Sequence, residues 1–66
     1  MIVITIDTDN QAFADSEQLE VARILNTLAD RLDKHGLPSP DHTMRLLDIN
    51  GNIVGSASNI NTDDDE

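Results

Sequence analysis

Residues 43–58 read "TMRLLDINGNIVGSAS", and the centre of this stretch decides the fold. Asn50-Gly51 sits between two apolar runs, the strongest short-range signal for a β-hairpin, because the left-handed backbone of a tight turn suits Asn and Gly. A two-residue turn would pair Ile49 with Asn52, Asp48 with Ile53, Leu47 with Val54 and Leu46 with Gly55. One face then carries Met44, Leu46, Ile53 and Ala57, with Gly55 leaving room for a helix. The other face carries Leu47, Ile49 and Val54. The rival is a three-residue loop, Ile49-Asn50-Gly51, pairing Asp48 with Asn52. That slip of one residue swaps the faces of the second strand relative to the first. Because it gathers the larger core set, the two-residue turn is the preferred reading.

Upstream, "DSEQLEVARILNTLADRLDKHGL" has helical periodicity. Leu19, Val21, Ala22, Leu25, Leu28, Ala29 and Leu32 recur at three- and four-residue spacing, with Ile24 at the edge of the stripe. Glu20, Arg23, Thr27, Asp30, Arg31 and Lys34 fall on the opposite face. Asp15, with Gln18 three residues on, is a candidate capping box, and Ser16 competes for the cap. Gly36 supplies a left-handed C-terminal residue, Leu37 can fold back on Leu32, and Pro38 and Pro40 stop continuation. The helix is expected over residues 16–35. At the start, "MIVITID" alternates β-branched residues and predicts a strand over 2–7. Ile2, Ile4 and Ile6 lie on one face; Val3, Thr5 and Asp7 lie on the other.

The element order is therefore β-α-β-β. A right-handed crossover runs the first and second strands in the same direction. Placing the last strand between them makes every ladder antiparallel. The expected fold is α+β: a three-stranded antiparallel sheet of order 1-3-2 with one helix packed on one face, in a single domain over 1–60. Residues 61–66 are read as a disordered acidic tail, since "DDDE" is a like-charge block.

Composition narrows the function. Thirteen acids against four bases give the 66-residue chain a net charge of −9. Phosphate recognition needs clusters of Lys and Arg, so direct binding to nucleic acid or anionic lipid is not expected. One aromatic, Phe13, provides no stacking platform for single strands. The absence of cysteine excludes disulfides and thiolate zinc sites and suits a reducing cytoplasm. No apolar run approaches the roughly 18–20 residues of a membrane span. "MIVITID" lacks the basic flank and cleavage site of a signal peptide.

The most metal-like stretch is "DTDNQAFADSE", residues 7–17. A calcium loop needs glycine at its sixth position and a bidentate glutamate at its twelfth. Counting from Asp7, those positions hold Ala12 and Gln18. The stretch reads instead as an acidic strand-to-helix loop, with Phe13 folded onto the core. His35, His42 and Asp41 flank "GLPSPD" but supply too few fixed ligands for zinc. Ser16, Ser39, Ser56 and Ser58 carry no nucleophile signature. Gly36, Gly51 and Gly55 each have a structural explanation, so no phosphate loop is present. No catalytic, cofactor or metal residues are expected.

The expected oligomer interface is the sheet face away from the helix, where Val3, Leu47, Ile49 and Val54 would form an apolar patch; the rival register leaves Val3, Leu47 and Ile53 there. A contiguous patch marks an interface, and a homodimer is its simplest cover. Backbone pairing at an edge strand is an alternative route to the same dimer. Asp7, Asp9, Glu20 and Asp30 form the expected acidic docking surface.

Taken together, "N-x-A-F" (Asn10, Gln11, Ala12, Phe13), "EVARIL…LADRL" and the "L-x-D-I-N-G-N-x-V-G" hairpin resemble a group of short acidic proteins encoded by bacteriophages and prophages. The resemblance covers most of residues 1–57. It implies a small accessory protein in a bacterial cytoplasm, and small acidic phage proteins often disable host defence proteins or enzymes by binding them. The leading expectation is a non-catalytic homodimer that binds and inhibits a host protein. The alternatives are a homo-oligomeric sponge for a small nucleotide immune signal, which would need Arg23, Arg31, Lys34 or Arg45 to converge, and an acidic mimic of nucleic acid.

Overall fold

The computed structural model describes residues 1–60; the acidic tail expected at 61–66 lies outside the described residues. Strand β1 spans Ile2–Ile6, helix α1 Glu17–His35, strand β2 Thr43–Leu47 and strand β3 Ile53–Asn59, with a single 3₁₀ turn at Gln11–Phe13. The sheet order is β1-β3-β2 and both ladders are antiparallel. This is the α+β arrangement expected from the sequence. Central placement of β3 lets two chain reversals produce a sheet with no parallel pair.

The hairpin combines the two registers. Thr43 to Leu46 pair with Ser58 to Gly55, as the two-residue turn requires, but Leu47 pairs with Ile53. At the tip the Asp48 amide donates to the Asn52 carbonyl at 2.9 Å and the Gly51 amide to the Asp48 carbonyl at 3.0 Å. Gly51 lies at φ +87°, in the left-handed region that a side chain disfavours. The turn is thus the three-residue loop, and Val54 is the additional residue of a β-bulge that restores the other register beyond it. Val54 consequently turns inward and is 7% exposed, within the core, while Ile53, expected inside, is exposed. Gly55 leaves room for something other than the helix: a Cβ there would collide with the backbone of Thr5 on β1.

The core consists of Phe13, Ile24, Leu28, Leu46, Val54 and Ala57, flanked by Ile6, Ala12, Val21, Leu32 and Met44. Helix α1 is rotated from the expected orientation. Ile24, placed at the edge of the stripe by the periodicity, is 2% exposed, whereas Leu25 is 41% exposed and Leu19, Ala22 and Ala29 also face outward. The helix lies against β2. Its N-cap is Ser16, whose side chain makes no cap bond; the Asp15–Gln18 box does not form, and the Ser16 carbonyl receives the Leu19 and Glu20 amides. At the other end the Gly36 amide bonds to the Leu32 carbonyl at 2.8 Å. Leu37 is exposed, and Pro38 is the buried residue of that loop.

Candidate functional site

A polar cluster explains the helix rotation. Glu20 is 8% exposed and Asp48 4%, which for carboxylates requires partners. Both Glu20 oxygens meet the Arg23 guanidinium, at 2.9 and 3.0 Å, and one also accepts the Ile49 amide at 2.8 Å. Arg23 reaches further, to the Leu47 carbonyl at 3.1 Å. Asp48 sits inside its own turn: it accepts the Asn50 and Asn52 amides, each at 2.8 Å, and the Asn10 and Asn52 side-chain amides at 2.7 and 3.2 Å. Asn10 in turn caps the 3₁₀ turn through the Ala12 amide at 2.8 Å. One cluster therefore ties the strand-to-helix loop, the first turns of α1 and the hairpin tip together.

The arginine beside Glu20 holds its carboxyl below the usual carboxylate range. At Asp48 burial opposes ionisation, but the bonds from the Asn52 amide, the Asn10 side chain and the Asn50 amide outweigh it, and the carboxyl is again held low. Among the described residues, no buried side-chain polar atom lacks a partner. The capacity of the cluster is spent on the fold.

What this clamp positions is apolar. Leu47, Ile49 and Ile53 are all exposed at the hairpin tip. Leu47 and Ile53 are cross-strand partners and share a face. Asp7, whose amide bonds the Val54 carbonyl at 2.7 Å, and Asp9, whose amide bonds the Asp7 carboxylate at 3.0 Å, lie exposed beside them. The tip is thus an apolar knob with acidic neighbours, fixed by backbone hydrogen bonds rather than left as a free loop.

The expected site residues separate accordingly. Of the interface set, Leu47 and Ile49 are exposed together at the tip, Val54 is withdrawn into the core by the bulge, and Val3 is half-buried at the far end of the sheet. On the outer face Ser58 and Thr43 lie level with Val3, Thr5, Ser56 and Arg45 form the next row toward the tip, and the Thr5 and Ser56 hydroxyls lie 3.4 Å apart. The outer face is not a continuous apolar patch. Of the acidic set, Asp7, Asp9 and Asp30 are exposed, with Asp30 pairing Lys34 at 3.1 Å. Glu20 is buried in its ion pair with Arg23, with its remaining capacity taken by the Ile49 amide, and offers nothing to a partner. Among the described residues, no group of three or more His, Asp or Glu is placed to hold a metal ion, and no helix is long and apolar enough to cross a membrane. No family model, curated protein or solved structure matches the chain.

Proposed function

We propose that this is a small non-catalytic accessory protein of phage type that acts in a bacterial cytoplasm, binds and inhibits a host protein, and works as a homodimer. The observation that carries the binding role is the hairpin tip: Leu47, Ile49 and Ile53 stand exposed on a turn immobilised by Glu20 and Asp48. Exposed apolar groups on a mobile loop would lose conformational freedom on binding; on a clamped turn that cost is already met by folding. Asp7 and Asp9 beside the tip favour a host surface carrying Lys or Arg. The resemblance to short acidic phage proteins supplies the host context.

The nucleotide-sponge reading gains no comparable support. Arg23 is held by Glu20 and the Leu47 carbonyl, Arg31 by the Arg45 carbonyl at 2.8 Å, and Lys34 by Asp30. These bases serve the fold or each other's neighbours rather than converging on a phosphate. Affinity capture from bacterial lysate tests the reading: the wild type and Thr27→Asp, altered on the exposed polar side of α1, are expected to retain the same host protein, and Ile49→Asp to lose it while remaining folded by circular dichroism. No specific retention by the wild type, or equal retention by Ile49→Asp, would refute it.

A further inference from the structure

The two edges of the sheet are finished differently. In β2, the outward carbonyls of Arg45 and Leu47 are capped by the guanidinium groups of Arg31 and Arg23. The outer edge of β1 has no such cover among the described residues. The Asp7 amide bonds the Val54 carbonyl, and the Ile60 amide the Met1 carbonyl at 2.7 Å. Odd-numbered residues of this strand therefore bond to β3, and by the alternation of an antiparallel ladder the amides and carbonyls of Ile2, Ile4 and Ile6 point away from it. Natural sheets protect such an edge with charge, proline or a bulge; Ile2–Ile6 contains none of these. Because Arg23 and Arg31 draw α1 over the β2 edge, the inner face above β1 is also left open. Ile4 is 43% exposed there, Ile2 is exposed too, and Leu25 lies on the flank of α1 opposite Arg23.

We infer that the open edge of β1 is the dimer surface, pairing antiparallel with β1 of a second copy about a two-fold axis at Ile4 to give a continuous six-stranded sheet. This rests on the homodimer reading above and specifies its surface. A second copy fits for three reasons. The register is self-complementary: Ile4 opposes the partner's Ile4 and Ile2 the partner's Ile6, so every outward amide and carbonyl of the strand meets its counterpart. In a chain of net charge −9, Ile2–Ile6 is a contact strip without an acid, so two like-charged copies approach with least repulsion there. The area also demands more than a strand. A stable interface buries on the order of 800 Å² per partner, about a sixth of the 4695 Å² surface of this chain. With strands about 4.8 Å apart and five spacings between the two β2 strands, the two helices stand roughly 24 Å from each other, leaving a trough that Ile2, Ile4 and Leu25 of both copies line and narrow.

Amide hydrogen exchange read residue by residue tests this. The amides of Val3, Thr5 and Asp7 are expected to be protected at every concentration. Those of Ile2, Ile4 and Ile6 should exchange about tenfold or more slowly at high concentration than on dilution, in step with a change from dimer to monomer mass by light scattering. Ile4→Lys should abolish both the dimer and the concentration-dependent protection. A dimer whose Ile2, Ile4 and Ile6 amides exchange as fast as in the monomer would overturn the edge pairing and leave the homodimer reading to another surface. A monomer at all concentrations would overturn both. Protection of these amides that persists in a species of monomer mass would place their partner within the chain and overturn the inference as well.

Discussion

Glu20 and Asp48 are where the chain departs furthest from its hydropathy pattern. Each is a carboxylate buried at a junction of elements, and each is ionised because donors surround it. Their folded pKa values lie below the ordinary carboxylate values near 4. The linkage follows: the stabilisation is fully present above the unfolded pKa and is lost as pH falls through the folded one. Thermal midpoints should therefore fall on acidification below about pH 4, and Glu20→Gln and Asp48→Asn should start lower and show a shallower fall, which circular-dichroism melts from pH 7 to pH 2 would check. Gly55 is constrained by space instead. Gly55→Ala sets a methyl against the Thr5 backbone and should cost about 1–3 kcal/mol or more in denaturant unfolding.

At the scale of elements, β1, α1, β2 and β3 could all be read from the sequence to within a residue or two, because β-branched alternation, a long helical period and Asn-Gly are strong local signals. The rotation of α1 and the inward turn of Val54 could not. Helical periodicity scores Leu19, Ala22 and Leu25 as core and Glu20 as surface; only the partners waiting at Arg23 and Ile49 reverse that, and they lie at positions a periodicity count does not weigh. For Val54, turn and core set both point to the two-residue register, whereas the chain uses the three-residue loop at the tip and returns to the other register through a bulge, which a one-register reading does not anticipate. The orientation of α1 has a direct check. Ile24→Ala should destabilise by about 2–5 kcal/mol, and Leu25→Ala by roughly 1 kcal/mol or less, measured by urea unfolding at low protein concentration. The reverse order would restore the stripe suggested by periodicity.

For the whole molecule, the same cluster that rotates the helix distributes the surfaces. Drawing α1 over β2 covers one sheet edge, uncovers the inner face above β1, and locks the hairpin tip with Leu47, Ile49 and Ile53 outward. Binding at one end of the sheet and self-association along one edge are then compatible, since they use different residues. The candidate site was half legible: Leu47 and Ile49 stood out as apolar residues without a core partner, but the clamp that makes them a defined knob depends on Asn10, Glu20 and Asp48 meeting across the fold. The most direct test of the binding role is photo-crosslinking in bacterial cells, with a benzophenone amino acid replacing Asn50 at the tip or Thr27 on α1. A discrete covalent adduct with a host protein from position 50, and none from position 27, is the predicted result; an adduct from position 27 alone, or none from either, would contradict it.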